Sequence, residues 1–326
     1  MDRGFPGVAE LSAVTGDVFG TGRRLAAVAR LRGGSKKGVY RLTFSDMSTA
    51  VAYIWGPAED YWADDAGPAQ GPFAHASAAA LFQASHACLD QAGVPVPRLY
   101  ALDQTRQRYP ADIALVADAP GGTLEAMLAR DPEAAAPVLS RLRAALRVMA
   151  GCRRAEVAKI AEIAAGRGSH GSCPDILAAR ARTDLEFAAG REPAIAAGRR
   201  ALESRLDALA CLEPRASHPL IHGELGPDHV LITASGDPVI IDIEGLMHFD
   251  LEWEHAFLKL RFGAHYPALC PPQTTLDQAR LRLYELAMHI SLVAGPLRLL
   301  DGDFPDREPM LAIVRYNMAA ALHAIR

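Results

Sequence analysis

The segment from residue 218 to residue 244 constrains the fold of this chain more than any other part of the sequence. Two short apolar runs, PLIH and HVLIT, flank a polar loop at 223–228, and a third run, PVIIDI, follows the turn SGD. Short apolar runs bounded by turn residues are typical of buried strands, and the turn predicts a hairpin between the second and third runs. Acidic residues therefore lie on the loop before the hairpin and at the end of its last strand.

Carboxylates in these two places suit phosphoryl transfer. The loop carries Glu224, and the last strand ends with Asp242. A nucleoside triphosphate brings several negative charges that a magnesium ion must bridge, and this hard cation prefers oxygen ligands. A second carboxylate must orient the attacking hydroxyl and accept its proton. The pattern therefore predicts a metal ligand at the strand end and a base on the loop.

The rest of the chain divides into a strand-rich part and a helical part. Alternation of β-formers with turn residues predicts three antiparallel strands within residues 25–55, and two more strands near 99–102 and 113–116. An alanine-rich helix at about 75–92 separates the two groups. Long Ala/Leu/Arg segments with helical periodicity follow, so the second part is predicted to be mainly helical.

These features resemble the aminoglycoside phosphotransferase and choline kinase family, whose pattern is His-Gly-Asp, four residues, Asn, and Ile-Asp about a dozen residues later. Here His222-Gly223-Glu224, His229 and Asp242 stand at the matching positions. The resemblance implies a bilobal protein-kinase-like fold of the α+β class. It further implies that Glu224 is the catalytic base and that His229 and Asp242 bind the metal.

Other segments extend the resemblance in the family's order. The run GGSKKGVY is similar to the glycine-rich loop over the phosphates, VPVP matches the approach to the fourth strand, and LVADAPGGTL resembles the hinge that binds adenine through backbone groups. The resemblance implies nucleotide contacts from seven residues: Gly33, Gly34, Ser35, Lys36, Lys37, Val116 and Asp118. The residues SKK also suit an ordinary solvated hairpin tip.

The sequence departs from the family pattern in three ways. Glu224 is one methylene longer than the Asp it replaces, and His229 offers a nitrogen in place of an amide oxygen, which suits Mn²⁺ better than Mg²⁺. The strand AVAYIW carries no lysine for the phosphates, and the following helix has no glutamate to pair with one. Losing both partners leaves no unpaired buried charge. Lys36 and Lys37 are the nearest replacements.

Several acidic residues near Asp242 allow two interpretations each. Asp228 and Glu244 are further candidates for metal ligands, and Glu244 is otherwise a hydrogen-bonding anchor for the loop. Asp250 is either a helix N-cap or a contact of the acceptor, and His222 is expected to support the loop. A cationic acceptor is mildly favoured by five acidic residues expected near the site: Glu224, Glu244, Asp250, Glu252 and Glu254.

The resemblance implies one kinase-like domain with two lobes. A nucleotide-binding β lobe is expected at 1–117, and a helical lobe with the catalytic loop and the acceptor site at 118–326. The predicted activity is transfer of the γ-phosphoryl group of ATP or GTP, with Mg²⁺ or Mn²⁺, to a hydroxyl of a small molecule such as an antibiotic or a metabolite. The alternative is a catalytically inactive kinase-like protein that binds a nucleotide or small ligand as a sensor or partner.

Composition argues against several other classes of protein. The net charge is −4, with 34 basic and 38 acidic residues spread along the chain, so no basic surface for nucleic acid is expected. The five cysteines form no CxxC pair, which argues against a disulfide framework and a zinc knuckle. Without a long apolar run or the features of a signal peptide, the sequence predicts a cytoplasmic protein and no membrane partner.

Overall fold

The computed structural model describes four stretches of the chain: residues 3–20, 22–31, 34–62 and 71–325. The chain divides into two compact units, which we call the sheet unit and the helical unit after their main elements. The sheet unit comprises Met1–Arg141 and Asp228–Gly245, and the helical unit comprises Leu142–Pro227 and Leu246–Arg326.

The secondary structure of the described residues runs as follows. The strands are β1 (Leu25–Arg30), β2 (Gly38–Phe44), β3 (Thr49–Trp55), β4 (Leu99–Asp103), β5 (Asp112–Ala117), β6 (Arg153–Arg154), β7 (Ala158–Lys159), β8 (His218–Ile221), β9 (Val230–Ile232), β10 (Pro238–Ile240) and β11 (Met247–His248). The helices are α1 (Val8–Phe19), α2 (Ala79–Gln91), α3 (Leu124–Arg130), α4 (Pro132–Gly151), α5 (Ile160–Ala164), α6 (Cys173–Ala189), α7 (Pro193–Ala210), α8 (Leu251–Phe262), α9 (Tyr266–Leu269), α10 (Gln278–Asp301) and α11 (Arg307–His323). Short 3-10 turns lie at Pro227–His229, Ile243–Gly245 and Gly263–His265.

An antiparallel sheet in the order β1-β2-β3-β5-β4 forms the centre of the sheet unit. Along β2, buried and half-buried positions alternate, because successive side chains of a strand point to opposite faces. On one face, Tyr40 and Leu42 share a core with Leu11 of α1. On the other face, the ring of Tyr53 lies 5.5 Å from that of Phe82 in α2. Strand β3 is therefore covered on both faces and is buried along almost its whole length.

The β9–β10 hairpin belongs to the sheet unit together with the turn before α3. The Gly121 N–H donates to the Ile232 carbonyl, and the Ile232 N–H donates to the Gly122 carbonyl, both at 2.9 Å. A Cβ on Gly121 would lie 2.7 Å from the Ile232 carbonyl oxygen, so this approach requires glycine. These contacts extend the compact unit beyond residue 117, where the lobe boundary was expected.

The helical unit combines long helices with short paired strands. Helix α10 packs against α6, α8 and α11, and the strands follow the order β6-β8-β11-β7. Helix α10 is long and apolar enough to cross a membrane by length and composition alone, but 67% of its most apolar window is buried. Burial of this kind is typical of a core helix. The cytoplasmic location stays a prediction.

The structure confirms the predicted division into strands and helices. All five strands expected before residue 118 are present, as is the hairpin. Helix α2 begins at Ala79, four residues later than predicted, because residues before it bond to other segments: His75 Nε2 lies 2.7 Å from Asp60 Oδ2, and Ser77 donates to the Lys36 carbonyl at 2.6 Å. Helix α1 was not predicted.

Candidate active site

Asp242 stands where the chain leaves the β9–β10 hairpin. The Ile241 N–H donates to the His229 carbonyl at 3.0 Å, and Asp242 then adopts a left-handed φ of 59°. Positive φ is uncommon outside glycine but is tolerated by Asp, and such backbone strain is frequent at functional sites. Residues 243–245 form a 3-10 turn. The strand therefore ends before Glu244, so Asp242 and Glu244 do not lie on one strand face.

Lys37 joins the two carboxylates that follow the hairpin. Its Nζ lies 2.7 Å from Asp242 Oδ1 and 2.7 Å from Glu244 Oε1. The side chains of Lys37 and Glu244 are 9% and 5% exposed, whereas that of Asp242 is 47% exposed. Glu244 is thus a buried anchor for the lysine, and Asp242 presents part of its carboxylate to solvent.

The charges of this cluster stabilise one another. Burial opposes the charged form of Lys37, but Asp242 and then Glu244 raise the pKa of its ammonium above the ordinary value. Conversely, the Lys37 ammonium holds the pKa of Asp242 well below its usual range. Asp242 is therefore a carboxylate, and Lys37 an ammonium, at neutral pH.

Lys37 places a positive charge beside β3, which carries no lysine. It directly precedes β2, whose first residue, Gly38, pairs with Ile54 of β3. The Lys37 Nζ lies 5.5 Å from the ring centroid of Tyr53 on β3, within the range of a cation–π contact. The sequence named Lys37 only as one of two nearest lysines. Its pairing with Glu244, which takes the place of the missing helix glutamate, was not predicted.

Asp228 and His229 lie beside Asp242. His229 Nε2 is 3.6 Å from Asp228 Oδ2 and 3.9 Å from Asp242 Oδ2. All three side chains are partly exposed, between 21% and 47%. Asp242 Oδ1 bonds Lys37, so its Oδ2 faces this group. Carboxylate oxygens and an imidazole nitrogen are donor types that a hard or borderline divalent cation such as Mg²⁺ or Mn²⁺ accepts, and His229 lies within 4 Å of both carboxylates.

The turn before β2 is tied to neighbouring segments. Gly33 lies outside the described residues. A Cβ on Gly34 would lie 2.4 Å from the Lys37 carbonyl oxygen, so the tight turn requires glycine. Ser35 Oγ accepts from Trp62 Nε1 at 3.0 Å, and Ser77 bonds the Lys36 carbonyl. The interpretation of these residues as a solvated hairpin tip is therefore wrong.

The hinge candidates differ in what their backbone can offer. Val116 lies within β5, opposite Val51 of β3 and Leu99 of β4, so its backbone groups are directed at neighbouring strands. Ala117, where the strand ends, donates its N–H to the Arg98 carbonyl at 2.8 Å, so N–H contacts to a base can begin only after it. The side chain of Asp118 does not point to a ligand, because both its oxygens accept from Arg41, at 2.8 and 3.1 Å. A nucleotide contact of Asp118 through its backbone stays a prediction.

Glu224 is the exposed residue of an otherwise buried loop in the helical unit, residues 222–227. Gly223 adopts a φ of 89°, and its N–H donates to Glu254 Oε2 at 2.6 Å. A Cβ on Gly223 would lie 2.7 Å from Met247 Cε. The packed loop therefore presents the Glu224 carboxylate to solvent, as a base requires. Burial raises the pKa of Glu254, which anchors the loop.

Asp250 is a buried acceptor for several side chains of the helical unit. It occupies the N-cap position of α8, but its carboxylate does not cap the helix. Oδ2 accepts from Tyr284 at 2.6 Å and from Arg280, and Oδ1 lies 3.2 Å from His218 Nδ1. Cys173 Sγ also lies 3.4 Å from that nitrogen. Asp250 therefore stands at the predicted N-cap position, but its buried carboxylate bonds other side chains and is not open to an acceptor.

The expectation of a cationic acceptor loses most of its basis. Glu252 is 1% exposed and binds both terminal nitrogens of Arg215, at 2.6 and 2.9 Å. Glu254 is 3% exposed and Asp250 is completely buried. Glu244 is bound to Lys37. Glu224 is the exposed member of the set.

Comparison with known proteins gives the family. The family model described as "Phosphotransferase enzyme family" matches residues 29–289 of this chain. The chain belongs to this phosphotransferase family. Its membership confirms the predicted family and the predicted class of activity. No curated protein matches the sequence significantly.

Solved structures similar to this chain confirm the predicted bilobal protein-kinase-like fold of the α+β class. Spectinomycin phosphotransferase APH(9)-Ia in complex with ADP and spectinomycin has a TM-score of 0.66 at 12% identity, over 98% of this chain and 99% of that one. Aminoglycoside phosphotransferase APH(4)-Ia with ADP and hygromycin B has a TM-score of 0.62 at 16% identity, over 97% and 98%. The choline kinase LicA of Streptococcus pneumoniae has a TM-score of 0.62 at 13% identity, over 97% of each chain.

Proposed function

We propose that this chain transfers the γ-phosphoryl group of ATP or GTP to a hydroxyl of a small molecule, with Lys37 and Asp242 handling the phosphates and the metal. The observation that carries the proposal is the Lys37 ammonium, held at 2.7 Å from both Asp242 and Glu244. The buried Glu244 carboxylate holds the lysine, and the Asp242 carboxylate also directs its Oδ2 towards His229. A cation beside a carboxylate whose second oxygen faces His229 supports the proposal, because a bound triphosphate requires both a positive charge and a metal ligand.

In the proposed site, Asp242, Asp228 and His229 hold a divalent cation, and Lys37 binds phosphate oxygens. The cation supplies neutralisation of the charge on the transferring phosphoryl group. Lys37 gives the same kind of stabilisation from the protein itself. The solved ADP complexes of APH(9)-Ia and APH(4)-Ia support nucleotide binding by this fold.

The proposed step is a direct displacement on the γ-phosphorus. The acceptor oxygen forms a bond to phosphorus, the bond to the β–γ bridging oxygen breaks, and the nucleoside diphosphate leaves with that electron pair. The hydroxyl proton passes to the Glu224 carboxylate. Glu224 is suited to this by its exposure on a loop that packing and the Gly223–Glu254 bond hold in place. Any cationic group of the acceptor would find Glu224 as its exposed counter-charge.

Calorimetric titration tests nucleotide binding. The protein is titrated with ATP and with GTP, each in the presence of Mg²⁺, Mn²⁺ or a chelator. We expect binding that depends on the metal and is weakened by Asp242→Asn. The matched control is Asp17→Asn, which removes an exposed carboxylate from α1 of the same unit. Absence of nucleotide binding under every condition would contradict the proposal and favour a kinase-like protein with another ligand.

Phosphotransfer is tested with a panel of hydroxyl compounds that includes spectinomycin, hygromycin B and choline, with mass spectrometry of the products. We expect a phosphorylated product from at least one class of acceptor. Glu224→Gln should lower turnover about 100-fold, as expected for loss of a general base, while nucleotide affinity stays within about twofold. Unchanged turnover in both Glu224→Gln and Asp242→Asn would refute the assignment of the site.

A further inference from the structure

The position of Lys37 depends on the turn that precedes it, residues 34–37. Its Nζ reaches two carboxylates at 2.7 Å each, so a displacement of the turn by about an ångström would stretch both contacts beyond hydrogen-bond distance and cost activity. Among the described residues, three further polar contacts of the turn come from outside the β1–β2 hairpin. They come from residues 56–62, which follow β3, and from residues 75–77, which precede α2. We call these two segments together the buttress.

Three contacts of the buttress bind successive groups of the turn. The Tyr61 N–H donates to the Ser35 carbonyl at 2.9 Å, and Trp62 Nε1–H donates to Ser35 Oγ at 3.0 Å. The Ser77 hydroxyl donates to the Lys36 carbonyl at 2.6 Å. The carbonyls of the two residues before Lys37 therefore both accept a hydrogen bond from the buttress.

A buried carboxylate of the buttress packs against Gly38, the residue that follows Lys37. Glu59 is 2% exposed and bonds Arg30 at 3.0 Å and the Tyr40 hydroxyl. A Cβ on Gly38, the residue after Lys37, would lie 2.4 Å from Glu59 Cδ. Glycine at this position lets Glu59 contact the backbone directly. Gly34 and Gly38 thus both allow other atoms to pack closely against the backbone.

The two segments of the buttress are also joined to each other. Asp60 Oδ2 lies 2.7 Å from His75 Nε2, and Asp60 Oδ1 accepts from the Trp62 N–H at 2.8 Å. The side chain of Asp60 is 13% exposed. This pair places Trp62 and Ser77 in register with the turn they hold.

We propose that the buttress fixes the turn in advance of nucleotide binding, and that Trp62 and Ser77 are positioning residues that set the Lys37 ammonium for the phosphates. The inference rests on the proposed function for its phosphate ligand. In the family pattern a strand lysine pairs with a helix glutamate. In this proposal the lysine is instead carried by the turn that the buttress holds.

The first experiment is a double-mutant cycle on nucleotide affinity. Ser77→Ala and Trp62→Phe are each made in the unchanged protein and in Lys37→Met. We expect each to weaken ATP binding about five- to tenfold when Lys37 is present, and by less than about twofold when it is absent. Ser77→Thr keeps the hydroxyl and should restore binding. Equal losses in both backgrounds, or none in either, would overturn the proposal.

The second experiment needs no nucleotide. Hydrogen exchange of the Tyr61 amide, which donates to the Ser35 carbonyl, is compared between the unchanged protein and the two variants. We expect protection in the unchanged protein and faster exchange in Ser77→Ala and Trp62→Phe. The matched control, Ser12→Ala, removes a hydroxyl-to-carbonyl bond within α1 and should leave this exchange unaltered. Unaltered exchange in both variants would overturn the buttress, whereas faster exchange without any nucleotide binding would refute only the proposed function.

Discussion

Lys37 and Asp242 are 205 positions apart in the sequence, yet their side chains are in contact. The lysine is nearly buried, and Glu244 is more so. Charges in such positions persist only when they are paired, because removing one partner leaves the other without compensation. The cluster therefore ties the end of the hairpin to the turn before β2, and its integrity bears on folding as well as on chemistry.

We predict that Lys37→Met destabilises the protein by about 3 kcal/mol, because it leaves the buried Glu244 carboxylate unpaired. The double variant Lys37→Met/Glu244→Gln should recover part of that loss, since no buried charge remains. The measurement is the free energy of unfolding in urea. A double variant less stable than Lys37→Met would show that Glu244 is not the charge that the lysine compensates.

At the scale of elements, one glycine decides how the turn before α3 meets β9. Gly121 approaches the carbonyl of Ile232 too closely for any side chain. Asp242 follows β10, the last strand of this hairpin, by two residues, so the position of the metal-binding candidate depends on this approach. The pairing of Gly121 and Gly122 with Ile232 is a backbone contact that local sequence patterns do not reveal.

We predict that Gly121→Ala costs about 2 kcal/mol of stability, the usual range for overpacking against backbone, and weakens nucleotide binding by displacing the hairpin. Gly16→Ala is the matched control. Gly16 lies within α1 with open space around its Cβ position, so alanine there should stabilise the helix by about 0.5–1 kcal/mol. Thermal unfolding and nucleotide titration of both variants check this. Equal stability of the two variants would contradict the close approach.

At the scale of the whole molecule, stability should fall in mildly acidic solution. Burial lowers the pKa of His255 from 6.5 to about 4, and its Nδ1 lies 3.0 Å from the Tyr266 hydroxyl. His255 is therefore protonated near pH 6.5 in the unfolded chain, but only near pH 4 in the folded protein. Because the unfolded state binds more protons between these values, folding stability decreases as the pH falls through this window.

We predict that this histidine contributes a loss of about 2 kcal/mol between pH 7.5 and pH 5. Urea unfolding of the protein and of His255→Asn at the two pH values measures it. The substitution should remove most of that part of the pH dependence. His323→Gln, an exposed position near the end of α11, is the control and should leave the dependence unaltered. An identical pH dependence in His255→Asn would refute the assignment.

The sequence determined the class of fold and the principal carboxylates. Strand periodicity, the hairpin turn and the order of the motifs depend on local pattern, and they located the sheet, the helical part, Asp242 and Glu224. Tertiary structure alone decided which charges meet. It buried Asp250, Glu252 and Glu254 among partners far away in sequence, and it brought Lys37 to Glu244. Local patterns set backbone conformation, whereas the pairing of distant side chains depends on how the elements pack, because a buried charge must find its partner wherever the chain places one.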